Sequence, residues 1–407
     1  MTHRIVPADP FSIHVPEAEI EDMKRRLQRT RFPNEPLGNE AWEYGTSLPY
    51  MERLIEYWRD DFDWRAAEES LNRFPQYRAT LTDDDAEDHT IHFIYERGTG
   101  DNPVPLILTH GWPSTFREFL DVVDPLAHPE KYGRDGPAFD VIVPSLVGYG
   151  FSSLPRKPIG PAAIADLWHR LMTEVLGYDR YAAQAGDWGS FVTSRLALQY
   201  PESLMGIHLT MLPLRPALKH ESQPPVTEEE GHWIATMQKW WRQEEGYRSI
   251  QSTKPMALAF GLMDSPAGLA GWLADKYYRL GDTGKTDTMD GMMARFPFDL
   301  ILTQFSIYWF TGTINSANTL YKAGPAEGTA VLRPGEKVTV PTAYSEYPID
   351  VLPDTPRSWA ERSYNIARWR QMKRGGHFAA MEEPELFADD VRDAFREMGI
   401  VKGTATP

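Results

Sequence analysis

The sequence predicts an α/β protein with a mostly parallel sheet, and three stretches carry that reading. Val104-Pro105-Leu106-Ile107-Leu108-Thr109 is apolar without alternation, as a strand buried on both faces requires, and it leads straight into His110-Gly111-Trp112-Pro113. The run from Tyr178 to Gln184 is short enough for a second buried strand. It ends in Ala185-Gly186-Asp187-Trp188-Gly189, and Ser190 to Leu198 can then open a helix. Near the C-terminus a Gly-Gly loop, Arg374-Gly375-Gly376-His377, precedes a final helix starting at Pro384.

The pentapeptide 185–189 has the small-x-nucleophile-x-small form of the turn that lifts a nucleophile from strand to helix in α/β-hydrolases, with Asp187 where serine is usual. Ala185 and Gly189 satisfy its demand for small residues, and no Gly-x-Ser-x-Gly occurs in the chain. The plainer reading of Asp187 is a helix N-cap; the neighbouring elements favour chemistry. In this fold the loop after the 104–109 strand donates one backbone N–H to an oxyanion hole, and the residue after the nucleophile donates the other. The expected donors are Trp112 and Trp188. Gly111 lets the backbone turn, while Pro113 has no N–H to offer. His110 is expected to brace this loop by hydrogen bonding, not to serve as an acid or base.

Chain order in the fold is nucleophile, acid, histidine, and only His208, His220, His232 and His377 follow Asp187. His377, on its glycine loop before the last helix, has the placement of the base; the other three fall in or beside a segment read as a lid. The orienting acid should follow a core strand, which is read at Lys337 to Tyr344, with Pro341 marking it as irregular or near an edge. Glu346, Asp350, Asp354 and Glu361 lie beyond it, and position does not choose among the first three.

These residues belong to a wider likeness. Phe11-Ser12-Ile13-His14-Val15-Pro16, Thr30-Arg31-Phe32-Pro33, Trp42-Glu43-Tyr44-Gly45, Phe62-Asp63-Trp64 and Leu71 to Tyr77 precede the hydrolase motifs. With them the chain resembles, over nearly its whole length, the epoxide hydrolases of the microsomal type, a group that includes fungal, insect juvenile-hormone and bacterial enzymes. The resemblance implies Asp187 as nucleophile, His377 as base and Asp350, in Tyr347-Pro348-Ile349-Asp350, as orienting acid. The mammalian microsomal enzyme has glutamate at that position. It also implies two lid tyrosines that activate the epoxide. Tyr247 lies in Gly246-Tyr247-Arg248-Ser249, and Tyr321 in the continuation of Ile307 to Ile314, where Tyr308 is the near competitor.

The implied activity is hydrolysis of a hydrophobic or aromatic epoxide to a vicinal diol through an aspartyl ester, with the epoxide and water as partners and neither cofactor nor metal. Two other readings compete: a haloalkane dehalogenase using the same aspartate, and a catalytically silent binding protein on this fold. The tyrosine motifs favour the epoxide over the halide.

The 407 residues exceed one hydrolase core. The expected organisation is an N-terminal region over 1–95 that wraps the core and covers the lid, a first core segment at 96–216, a mostly helical lid at 217–330 and a second core segment at 331–407. Within it, Pro16 to Arg31 and Pro161 to Leu176 read as helices, and 89–95 and 138–144 as strands. The last strand ends in a glycine-bearing loop, Pro144 to Ser152, of the kind that borders the site in this fold. Lid aromatics including Trp233, Trp240, Trp241, Trp272, Phe305, Trp309 and Phe310 imply an apolar pocket, although helix packing explains each equally well. Glu228-Glu229-Glu230 reads as a solvated helix start. A net charge of −16 argues against nucleic acid and anionic substrates. The absence of cysteine excludes disulfides, and with no apolar run at the N-terminus a cytoplasmic protein without a membrane anchor is expected. A homo-oligomer is compatible with the sequence.

Overall fold

The computed structural model describes residues 7–34, 42–214, 224–284, 289–333, 335–350 and 354–401. Arg31 to Pro33 are inside this set, whereas Arg215, Pro216 and His220 lie outside it. The described residues place nine strands in one sheet: β1 (Ala8–Phe11), β2 (Gln76–Thr82), β3 (Asp88–Glu96), β4 (Val104–Thr109), β5 (Phe139–Pro144), β6 (Tyr181–Ala185), β7 (Leu204–Leu209), β8 (Val338–Glu346) and β9 (Tyr364–Gln371). The order is β1-β2-β3-β5-β4-β6-β7-β8-β9. The first three strands pair antiparallel, and every pair from β5–β4 onward is parallel.

The parallel part follows from the sequence. Every residue of β5 and β6 is buried, which is affordable only because helical crossovers cover both faces. Those crossovers include Leu120–Ala127, Pro161–Arg170 and Asp187–Gln199, and Pro384–Glu397 follows the last strand. The chain steps from β4 to β5 on one side and then to β6 on the other. Such a reversal leaves a crevice at the C-terminal ends of the strands, and the loops after β4 and β6 open into it.

Several elements differ in detail from expectation. The 187–199 helix begins at Asp187 itself, and the 161–176 helix changes at Leu171 into a π turn ending at Val175. Pro341 does disturb β8, whose register with β9 shifts on both sides of it, and β8 is next to the edge strand β9. Glu228-Glu229-Glu230 opens the Glu228–Glu244 helix with a Thr227 capping box, yet Glu230 is buried, not solvated. Its carboxylate takes a 2.6 Å hydrogen bond from Arg362; the partner offsets the cost of burying the charge.

The N-terminal segment contributes β1 and β2 to the sheet, and its helices Glu17–Gln28, Leu48–Asp60 and Trp64–Leu71 pack on lid helices. Trp58 Nε1 donates to Ser306 Oγ at 3.2 Å, the Tyr57 hydroxyl to Asp299 at 2.9 Å, and Arg26 to the Asp264 carbonyl at 2.7 Å. The lid itself is helical from Glu228 to Glu327 among the described residues, and no described helix is long and apolar enough to cross a membrane.

Candidate active site

Thr109 and Ala185 are register partners at the ends of β4 and β6, so the two motif loops start side by side. Asp187 has φ +43°, a left-handed conformation that costs a non-glycine residue about 1–3 kcal/mol. Glycines around it make the turn fit. A Cβ on Gly189 would strike the carbonyl oxygen of Thr109, one on Gly111 would strike the Asp187 side chain, and one on Gly186 would stand 2.7 Å from Thr210 Oγ1. With those atoms absent, the loop after β4 closes onto the turn, and the Trp112 N–H donates to Asp187 Oδ1 at 2.7 Å. The Trp188 amide is in the first turn of the 187–199 helix, among the N–H groups a helix cannot satisfy internally.

His110 is fully buried; its Nε2 accepts from the Leu146 N–H at 3.1 Å and its Nδ1–H donates to the Gly111 carbonyl at 3.1 Å. Burial holds this imidazole down at about 4, so it is a neutral brace between two loops, as expected.

His377 reaches Asp187 from the third loop. Gly375 has φ +98°, and a Cβ on Gly376 would press on the Leu280 carbonyl and the Asp282 amide, which explains the two glycines. The His377 N–H donates to the Leu280 carbonyl at 3.0 Å, and the buried Glu382 caps the turn by accepting from Phe378 N at 2.9 Å and Asp282 N at 2.7 Å. Seated this way, His377 Nε2 lies 3.4 Å from Asp187 Oδ2, and Nδ1–H donates to Asp350 Oδ1 at 2.6 Å. Burial alone would lower the imidazole pKa, but the two carboxylates outweigh it and hold the pKa well above the ordinary histidine range.

The alternatives left open by chain position fall elsewhere. Glu346 takes hydrogen bonds from Trp369 at 3.4 Å and Gln371 at 3.3 Å. Glu361 pairs with Arg357 at 2.7 Å, and Asp354 is exposed. His208 is not beside the lid but in the core on β7, fully buried against Asp390 and Ser345, and His232 is on the exposed side of the 228–244 helix.

Both lid tyrosines arrive at the same place. Tyr247 stacks on Trp112 with 5.3 Å between centroids and 9° between planes. Tyr321 meets Trp112, Trp188 and Tyr247 edge-on at 5.7, 4.9 and 5.9 Å. Burial, then neighbouring negative charge, raises the pKa of both phenols. Tyr308 lies deeper, and its hydroxyl donates to the Ser114 carbonyl at 3.0 Å. The glycine loop after β5 supports this arrangement from behind: the Gly148 carbonyl accepts from Ser316, and Tyr149 OH donates to the Ala317 carbonyl, both on the Ile314–Glu327 helix that carries Tyr321.

A cavity of about 350 Å³ stands over Asp187. Trp188, Phe191, Trp240, Trp241, Tyr247 and Tyr321 line it, with Met211 and Leu214. Of the remaining aromatics weighed from sequence, Trp233 packs on Trp359, Phe310 on Trp64 and Phe305 on Trp58.

The chain has counterparts among known proteins. Residues 8–119 match the family model for the epoxide hydrolase N terminus, and residues 104–245 the model for the alpha/beta hydrolase fold. A putative epoxide hydrolase of Stigmatella aurantiaca is 38% identical over 96% of this chain and 85% of its own length. Epoxide hydrolase 1 of Sus scrofa is 35% identical over 94% of the chain and 87% of its length. The chain belongs to the epoxide hydrolase family. Among solved structures, the juvenile hormone epoxide hydrolase of the silkworm Bombyx mori superposes with a TM-score of 0.81 at 27% identity, covering 98% of this chain and 96% of that one. Aspergillus niger epoxide hydrolase gives 0.79 at 28% identity and 98% of both.

The enzyme also carries site features that no motif announced. Glu118, behind the loop after β4, is buried and its carboxyl is pushed up to about 7 by that burial. Trp240 and Trp241 sit among many lid tryptophans, and nothing in their local pattern separates those facing the cavity from those filling the lid.

Proposed function

We propose that this epoxide hydrolase opens a hydrophobic or aromatic epoxide by attack of Asp187 and releases the diol by hydrolysing the resulting ester. The observation that carries the reading is the convergence of Asp187, His377 and Asp350, with His377 hydrogen-bonded to Asp350 and 3.4 Å from Asp187, beneath a cavity that both Tyr247 and Tyr321 also line.

The two oxygens of Asp187 have different neighbours. Oδ1 accepts from the Trp112 amide, so Oδ2 is the oxygen free to attack the epoxide carbon. Attack opens the strained ring, and the oxygen that leaves the carbon takes a proton from a phenol, Tyr247 or Tyr321. A serine in this position would give an ether that water cannot readily cleave; the carboxylate gives an ester that it can. In the second step Asp350 keeps His377 in the tautomer whose Nε2 is the base. Nε2 takes a proton from water, and the hydroxide attacks the Asp187 carboxyl carbon. Negative charge then gathers on Oδ1, where the Trp112 and Trp188 amides receive it. As that intermediate collapses, the bond from the carboxyl carbon to Oδ2 breaks, Oδ2 leaves as a hydroxyl of the diol with the proton of the added hydroxide, and Asp187 is a carboxylate again. The proton held by His377 restores the phenol, and epoxide plus water has become diol.

The lining is mainly aromatic and apolar, with Glu244, Glu245 and Arg248 also on it, and favours apolar substrates. Single turnover of styrene oxide in oxygen-18 water with enzyme in excess tests the reading. The first diol should contain only unlabelled oxygen, because it takes Oδ2 from Asp187, and His377→Gln should accumulate an alkyl ester visible by mass. Label in the first diol would mean direct attack by water and end the proposal.

A further inference from the structure

Lys276 is a buried cation with no part in the reaction as set out above, yet it stands on one of the proposed acids. It is 6% exposed and lies on the Pro266–Leu280 helix, whose last residue holds the His377 amide. Its Nζ is 4.5 Å from the centroid of the Tyr247 ring, the same ring that stacks on Trp112. Its acidic neighbours are Asp275, with Oδ2 at 2.6 Å, and Glu244, with Oε2 at 4.0 Å.

Burying an ammonium is costly unless it is paired. The short pair here joins adjacent residues of one helix and so ties nothing together, and the reach to Glu244 is at the limit of an ion pair. Helix tethering therefore accounts poorly for the burial. The aromatic face accounts for it better, because a cation is attracted to the electron-rich face of a ring. A phenol that gives up its proton drives negative charge into its ring, so the attraction is stronger for the phenolate than for the phenol.

We propose that Lys276 is a positioning residue that holds the Tyr247 ring over Trp112 and stabilises the negative charge growing on that ring as its proton passes to the epoxide oxygen. The inference rests on Tyr247 acting as an acid in ring opening. During that step Asp187 loses its charge by forming the C–O bond of the ester, the epoxide C–O bond breaks, and its electron pair takes the phenolic proton. The negative charge thus moves from Asp187 to Tyr247, toward Lys276. It leaves the phenolate when the proton drawn from the hydrolytic water is returned.

The test measures ester formation and ester hydrolysis separately, by rapid quench and mass analysis with styrene oxide, in Lys276→Met and Lys276→Arg, each in the wild-type and Tyr247→Phe backgrounds. Lys276→Met should slow ester formation about tenfold and leave ester hydrolysis unchanged. Lys276→Arg should restore most of the rate, and Lys276→Met should add no further loss once Tyr247 is phenylalanine. Should the methionine variant not fold, Lys276→Gln is read in the same way. Equal slowing of both half-reactions, or an undiminished loss in the Tyr247→Phe background, would make Lys276 a structural prop and overturn the proposal. If Tyr247→Phe itself leaves ester formation unchanged, the tyrosine reading fails first; that outcome is distinct from a failure confined to Lys276.

Discussion

The two walls of the cavity are held by different means. On the core side Asp187, Trp112 and His377 are placed by backbone: a positive φ at Asp187, glycines with no room for a Cβ, the Trp112 amide bonded to the Asp187 carboxylate and the His377 amide bonded to the Leu280 carbonyl. On the lid side Tyr247 and Tyr321 are placed by rings packed on rings. The atoms proposed to react are thus fixed where tenths of an ångström matter, and the lid side offers a surface that side chains can reshape.

The sharpest challenge to this contrast is a single methyl group on each side. Gly189→Ala forces a Cβ into the Thr109 carbonyl on a strand buried between two others, and should cost about 3 kcal/mol of unfolding free energy. Gly271→Ala, on the Pro266–Leu280 helix, would meet nothing nearer than Met51 Cε at 3.8 Å and should stabilise by about 0.5–1 kcal/mol. Urea unfolding reads both, and comparable losses would erase the distinction between the walls.

A pair of tyrosine variants refines it. Tyr321→Phe should slow ester formation about a hundredfold with stability retained. Tyr308→Phe should leave ester formation alone and cost about 1 kcal/mol, because the Ser114 carbonyl loses its donor. The reverse pattern would move the second acid from Tyr321 to Tyr308.

The mildest effect is a displacement on the pH axis. His377 is raised above the ordinary histidine range, against burial, by the charges of Asp187 and Asp350. In the proposed mechanism ester formation removes the Asp187 charge, so the imidazole pKa is expected to fall at the step that needs a neutral base. Ester hydrolysis should therefore rise with pH, with a midpoint below that of His377 in the free enzyme. Asp187→Asn, which removes the same charge, should move the His377 NMR titration to lower pH. An unmoved midpoint would show that the two groups are not coupled across their 3.4 Å separation.

The core wall was legible in the sequence because its constraints are local. A small-x-Asp-x-small turn between strand and helix can be read from five residues, and a Gly-Gly-His loop before a last helix from a dozen. The lid wall was legible only by resemblance. Tyr247 and Tyr321 are two of 18 tyrosines, and no spacing distinguishes a phenol facing Asp187 from Tyr308, whose hydroxyl is spent on a carbonyl. His208, placed near the lid by position, turned out to be a core residue on β7 because a short buried strand carries little pattern of its own.

By itself, the sequence determined the α/β-hydrolase core, its parallel strands and a carboxylate in the nucleophile's place, since strand burial, helix periodicity and the steric demands of a tight turn act over a few residues. Only the tertiary structure decided that Trp240 and Trp241 face the cavity while Trp233 does not, and that Lys276 rests on Tyr247; it also set against His377 the Asp350 that resemblance, but not position, had singled out. Those outcomes depend on contacts between segments far apart in the chain, whose relative placement is settled by the packing of the whole sheet and lid.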